Sequence, residues 1–389
     1  MVQNRTMEWE FATATRIVFG PGRSAELPQI AREFGRRALL VTGRATERAR
    51  PLQENLRRHG FEAVVFPAES EPTLDLVRRG VQACREACEF VISFGGGSVI
   101  DAGKAIAALA PNSGEPLDYL EVIGRGQPFE RSPLPFIAVP TTAGTGSEAT
   151  RNAVLGSPEN GMKASLRSPL MLAKVALIDP DLTLDLPREI TANTGLDALT
   201  QVIEPFVSVR ANPLTDVFCL EGMKRIAASL TTAWQDGSNR PARESMSFAS
   251  LLGGLSLANA ALGVIHGFAA PLGGMLHAPH GALCAAVLPH GIGGNIRALR
   301  RRAPDHAALR KYEEIASVLS GNPEAQAENA ACWTASLCSQ LGIASLRKHG
   351  LRREQIPDLV EKAQKASSMK GNPIKLTAAE LTEIAEQSW

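Results

Sequence analysis

At 389 residues the chain is long enough for two domains, each with its own core. Apolar residues make up 44% and charged residues 21%, with 34 glycines and 25 prolines, as in an ordinary soluble globular protein. The 41 Lys and Arg nearly cancel the 40 Asp and Glu, so no net field recruits nucleic acid or an anionic membrane.

The opening stretch MVQNRTMEWEF lacks the apolar centre of a signal peptide, and no long apolar run suggests a membrane span. A cytoplasmic location is expected. Cys84, Cys88, Cys219, Cys284, Cys332 and Cys338 form no CxxC pair, so reduced thiols are expected and a cysteine-built zinc knot is not.

In chain order, residues 37–42 read as a strand and 47–59 as the helix after it. Residues 63–66 are a second strand, followed by a helix over about 74–87. A third strand at 90–94 leads into a glycine cluster and a helix running to Ala110, and 135–139 is a fourth strand. Strands alternating with helices imply parallel crossovers and a doubly wound α/β sheet. The texture changes at 179–187, beyond which alanine- and leucine-rich helical patterns replace strands. The expected division is therefore 1–187, a dinucleotide-binding α/β domain, and 188–389, an all-α metal and substrate domain. Pro205, Pro213, Pro271, Gly273, Gly274, Pro279 and Gly291 are expected to punctuate the later helices.

The run Gly95-Gly96-Gly97-Ser98 lies between the third strand and its helix. Backbone N–H groups without side chains in the way can approach a pyrophosphate, and the helix N-terminus favours its charge. The plain alternative is a tight turn with Ser98 as helix cap. Three consecutive glycines exceed what a cap needs. A second loop, after the fourth strand, gathers Thr141, Thr142, Thr145 and Ser147 with Gly144 and Gly146. Ligands of open α/β sheets bind at the C-terminal ends of strands, and two such loops on one sheet point to a nucleotide.

Three of the seven histidines, His266, His277 and His280, fall within fifteen residues. Each taken alone is more often a satisfied core residue. Their clustering suggests imidazoles from two helix ends, with His266 closing one helix and His280 opening the next. Together with a carboxylate from a third helix they make a divalent-metal site. Asp197 is the natural carboxylate, and Gln201 lies one turn further along the same helical face.

Four segments then combine: FGGGSVIDAGKAIA (94–107), PTTAGTGSEAT (140–150), GLDALTQVIE (195–204) and HGFAAPLGGMLHAPHG (266–281). In order and spacing they resemble the iron-activated (type III) alcohol dehydrogenases over almost the whole chain. The resemblance implies an N-terminal nucleotide domain and a C-terminal helical domain, a plan shared with dehydroquinate synthases, with the active site between them. It implies hydride transfer between NAD(P) and an alcohol, aldehyde or related carbonyl compound, in a homo-oligomer, a dimer. Gly96, Gly97 and Ser98 would contact the pyrophosphate, with Asp101 beside the cofactor. Thr141, Thr142, Thr145 and Ser147 would line the path from adenine to nicotinamide, and Lys163 matches a cofactor-side lysine.

The family's metal is held by one aspartate and three histidines. Asp197, His266 and His280 match three of these positions, but the fourth is Gln201, and a further substrate-side histidine is Ala270 here. Glutamine offers only a neutral carbonyl oxygen, so affinity for Fe²⁺ or Zn²⁺ should fall. Gln201 completes the site, or His277 substitutes, or no metal binds; retained but weakened binding is the expectation. At the first parallel strand, Gly43 and Arg44 replace the acidic residue expected to grip the ribose, which opens NADP(H) as a cofactor; the alternative is a solvated loop charge. His266 and His277 are the catalytic candidates, His277 as proton shuttle. Asn152, Phe206 and Phe268 are candidate lining residues. The competing readings are a metal-independent reductase of an activated keto acid resembling maleylacetate reductases, a dehydroquinate-synthase-like lyase, and a non-catalytic binding protein.

Overall fold

The structure, a computed structural model, describes residues 8–69, 71–157, 159, 162–184, 186–276 and 278–389. Eight strands are β1 (Arg16–Phe19), β2 (Arg37–Thr42), β3 (Glu62–Pro67), β4 (Phe90–Gly95), β5 (Phe136–Pro140), β6 (Asn152–Ser157), β7 (Met162–Arg167) and β8 (Val175–Ile178). Six of them form one sheet in the order β1-β8-β5-β4-β2-β3, every pair parallel. β4, β5 and β8 are buried at every position, as strands covered on both faces must be, whereas the edge strands β1 and β3 stay partly exposed.

Four helices accompany the sheet: α1 (Leu27–Ala31), α2 (Arg50–Arg58), α3 (Leu74–Ala87) and α4 (Gly97–Leu109). Alternation along the strands divides the packing. Ala38, Leu40 and Ile92 join α1 and α2 on one face, while Leu39, Val41 and Val91 join α3 and α4 on the other. The antiparallel hairpin β6–β7 leans on α4. The four strands and three helices expected between residues 37 and 139 are present within a few residues. The expectation missed β1, β8 and the hairpin, since four-residue strands and half-polar alternation give weak signals.

After Pro187 the chain is helical: α5 (Arg188–Val207), α6 (Pro213–Gln235), α7 (Arg240–Ala260), α8 (Val264–Met275), α9 (His280–Arg302), α10 (Ala307–Ser320), α11 (Ala327–Gln340), α12 (Ile356–Lys365) and α13 (Ala378–Ser388). α5 is buried from Gly195 to Val207 and runs through the centre, packed by α6, α7 and α9. A helix buried all round carries no amphipathic stripe. Pro205 and Pro271 do not break helices as expected; they lie inside α5 and α8. The break falls instead at Ala261, whose φ is 62°, where α7 and α8 meet at a 98° bend. Among the described residues no single helix is long and apolar enough to cross a membrane.

The two halves meet closely where the loop after β5 crosses α7. A Cβ on Gly254 would sit 2.2 Å from the carbonyl oxygen of Gly146, itself at φ 56°. Only glycine at both positions allows this backbone-to-backbone approach.

Candidate cofactor and metal site

β2, β4 and β5 end side by side, with Thr42 opposite Phe94 and Gly95 opposite Pro140. Their connections diverge here, β2 leading outward to β3 and β4 leading inward to β5, so Gly43 and Gly96 flank the crevice where the strand order reverses. The first helical bonds of α4 are donated by Val99 and Ile100, both to Gly96 O at 3.0 Å. The N–H groups of Gly97 and Ser98 therefore precede the helical ladder, at the positive end of the helix. The cap position is Gly96, not Ser98, and no side chain occupies the cap. A Cβ on Gly97 would lie 2.6 Å from Thr145 Cγ2, so the glycine turn and the hydroxyl loop form one wall. Gly96, Gly97, Ser98, Thr142 and Thr145 are half-buried, whereas Thr141 is buried. The buried hydroxyl of Thr42, at the end of β2, has no hydrogen-bond partner.

Asp101 and Ser147 face inward instead of lining an open path. Ser147 Oγ donates to Asp101 Oδ1, and Asp101 Oδ2 accepts from Val154 N at 2.9 Å. Lys104, buried one turn along, donates to Ser147 O, Thr150 Oγ1 and Asn152 O at 2.7–2.8 Å. Burial drives its ammonium down to about 8, against the pull of Asp101 and Glu148. Burial likewise pushes the Glu148 carboxyl up to about 7. This network ties α4 to the hydroxyl loop and the hairpin. It had no counterpart in the sequence reading, although a lysine on an apolar helix was its signal.

The metal candidates come from three helices. Asp197 lies on α5, His266 in the first turn of α8, and His280 at the first position of α9. His266 thus opens a helix instead of closing one, because the chain turns at Ala261, ahead of it. His266 Nε2 is 3.5 Å and His280 Nε2 3.8 Å from Asp197 Oδ1. Asp197 is 1% exposed, and its Oδ1 has no hydrogen-bond partner. Glu204, two turns after Asp197, accepts from His266 Nδ1 at 2.7 Å and from Ile265 N at 2.6 Å. A carboxylate can only accept, so Nδ1 carries a proton, and in the neutral ring Nε2 is the nitrogen left with a lone pair.

Gln201 presents nitrogen, not oxygen, to this group. Its Nε2 donates to Asp197 Oδ2 at 3.0 Å and to Gly144 O at 3.3 Å, while its Oε1 is buried without a partner. A fourth donor lies nearby: Asp197, His266, His280 and Cys284 each offer one ligand atom, all within 4.8 Å of one another. The pocket favours positive charge. Although burial works against it, Cys284 and Asp197 raise the His280 imidazole to about 9, and burial of Asp197 is outweighed by His266 and His280, which hold it below its ordinary value.

A family profile described as iron-containing alcohol dehydrogenase matches residues 14–180, and a second, described as Fe-containing alcohol dehydrogenase family, C-terminal, matches 191–389. The chain belongs to the iron-containing alcohol dehydrogenase family. 1,3-Propanediol dehydrogenase of Citrobacter freundii is 34% identical over 385 residues, covering 95% of this chain and 96% of that protein. Sulfoacetaldehyde reductase of Bilophila wadsworthia is 32% identical over 374 residues, covering 92% and 93%. Among solved structures, a 1,3-propanediol oxidoreductase superposes with a TM-score of 0.90 at 32% identity, covering 98% of this chain and 100% of that one. Sulfoacetaldehyde reductase from Bifidobacterium kashiwanohense in complex with NAD⁺ gives 0.86 at 30% identity, covering 98% and 99%.

This iron-containing alcohol dehydrogenase is an oxidoreductase that interconverts an alcohol and a carbonyl compound. The lyase and binding-protein readings fall away. Its remaining expected residues are placed as follows. Lys163, on β7, pairs with Glu71, and its ammonium lies against Gly273 of α8. Arg44 is exposed beyond β2, and no hydrogen bond or ion pair engages its side chain among the described residues. Ala270 is half-buried one turn after His266. His277 lies outside the described residues. Phe206 and Phe268 do not line a pocket: both are fully buried in the helical core, the former beneath Lys311. Asn152 spends its carbonyl on Lys104. Glu204 and Cys284 went unassigned in the sequence, although Glu204 ends a quoted motif as a lone carboxylate among Val, Ile, Pro and Phe.

Proposed function

We propose that the crevice between the C-terminal edge of the sheet and the α5–α8–α9 junction is the active site of an NAD(P)-dependent, metal-assisted alcohol dehydrogenase. The observation that carries the metal reading is Asp197 Oδ1, a buried carboxylate oxygen without a hydrogen-bond partner, aimed between two imidazole nitrogens. A buried anionic oxygen without a partner costs several kcal/mol by rough estimate, so these residues fit a divalent cation, Fe²⁺ or Zn²⁺. Such a cation supplies Lewis acidity toward the substrate oxygen. Nicotinamide supplies or accepts the hydride.

The chain's own residues do the rest. Glu204 fixes the tautomer of His266, and the Gln201 amide orients Asp197. The N–H groups of Gly97 and Ser98 receive pyrophosphate, and Thr142 and Thr145 face the cofactor's path. Lys163 closes its far side. Arg44, without a carboxylate at Gly43 to oppose it, accepts the 2′-phosphate of NADP(H). His277 is retained as the proton relay. The dinucleotide unit ends at about residue 187, where the sheet elements give way to α5. Six free thiols support a cytoplasmic location, and the open edge of β1, with Ile17 exposed, supports a homodimer.

Steady-state rates with NADH and NADPH, before and after chelation and with Fe²⁺, Zn²⁺ or Mn²⁺ restored, test this function. Loss on chelation with recovery on re-addition supports it. Full activity in chelator overturns the metal reading in favour of a metal-independent reductase.

A further inference from the structure

We infer that Cys284, not Gln201, is the fourth protein ligand of this centre, making it an Asp-His-His-Cys site suited to Zn²⁺ over Fe²⁺. The inference rests on the metal reading above. Cys284 follows His280 by one turn of α9, so both side chains share a helical face. Its Sγ lies 3.6 Å from His280 Nε2, and the other two measured edges of the group are 3.5 Å and 3.8 Å. Zinc–nitrogen, –oxygen and –sulfur bonds of about 2.0–2.3 Å place tetrahedral ligands roughly 3.3–3.6 Å apart, so these edges need to contract only slightly.

Gln201 fits the role less well. Its Nε2 already bonds two groups that can only accept, Asp197 Oδ2 and Gly144 O. Exchanging the two ends of the amide would set oxygen against oxygen at both contacts. Cys284 is fully buried, its sulfur lies within 4.8 Å of an Asp197 carboxylate oxygen, and Asp197 Oδ1 lacks a hydrogen-bond partner. Thiolate and carboxylate together neutralise a divalent ion, and the soft sulfur favours zinc or cobalt over ferrous iron. The thiol loses its proton to solvent as the ion binds.

The test uses the full chain, stripped with chelator and titrated with Co²⁺. One equivalent is expected to bind with an intense near-ultraviolet sulfur-to-cobalt band that one equivalent of Zn²⁺ displaces. In Cys284→Ser the band is lost while the weaker visible bands of cobalt persist, and Zn²⁺ affinity falls by about tenfold or more. Stoichiometric Co²⁺ without the sulfur band, or unchanged Zn²⁺ affinity in Cys284→Ser, overturns the cysteine ligand and leaves the metal reading standing. Failure of the wild-type chain to hold Co²⁺ or Zn²⁺ overturns both. Should the serine variant not fold, Cys284→Ala serves: a sulfur-to-cobalt band that persists there comes from another thiol and overturns the inference.

Discussion

Glu204 Oε2 lies 2.7 Å from His266 Nδ1, which makes a residue two turns beyond Asp197 the partner that orients an imidazole on a different helix. The same carboxylate accepts from Ile265 N, so it fixes both the start of α8 and the ring that projects from it. Glu204→Gln is expected to keep the fold, since an amide oxygen still accepts from one N–H. It weakens the hold on His266, and metal affinity should drop about 10- to 100-fold in competition titrations with a chromophoric chelator. Unchanged affinity would show that Glu204 serves only the helix start.

Gly97 marks the closest contact between the two cofactor loops. Gly97→Ala places a methyl group 2.6–2.7 Å from the Thr145 side chain, inside contact distance. Separating the loops costs about 1–3 kcal/mol, so KM for the nicotinamide cofactor should rise roughly tenfold or more. Initial-rate kinetics with varied cofactor check this, and Gly97→Ala combined with Thr145→Ser should recover part of the loss. A cofactor KM within twofold of wild type in Gly97→Ala would refute the shared wall.

Arg44 decides cofactor choice if its free guanidinium meets a phosphate. Arg44→Ala is then expected to lower kcat/KM for NADPH by about tenfold while leaving NADH nearly unchanged. Equal effects on both cofactors would reduce Arg44 to a solvated loop charge.

Glu148 gives the protein a pH signature separate from catalysis. Burial raises its carboxyl from 4.5 to about 7, so between those values the folded chain retains a proton that the unfolded chain has released. The stability tied to that proton is fully present below pH 4.5 and is lost as pH rises through 7. Glu148→Gln cannot titrate, so relative to it the wild type should lose up to about 1.4 kcal/mol per pH unit across this window. Urea unfolding of both proteins at several pH values reads this slope directly. Parallel stability profiles would contradict the buried, protonated state.

The legibility of the fold followed burial. β4 and β5 read as strands because they are apolar runs, broken only by Ser93 in β4 and ended by glycine or proline, the signature of strands covered on both faces. β1 and β8 supply only four residues each, and β6–β7 mixes lysine, serine and arginine into its alternation, so local pattern could not separate them from loop. Proline misled in the helical half: Pro205 and Pro271 sit in helices held by surrounding core, and packing there outweighs the lost backbone bond.

For the site, the sequence by itself determined the chemistry on offer: a glycine turn at a strand end, a hydroxyl loop after the next strand, and a carboxylate and imidazoles at family-like spacing. Tertiary structure alone decided which groups meet. Asp101 and Ser147 turned inward to a buried lysine, Gln201 turned its nitrogen to Asp197, and Cys284 and Glu204 came beside the histidines. The reason is distance along the chain. Glu204 and His266 are 62 positions apart, and no local periodicity encodes a contact made only when α5, α8 and α9 pack together.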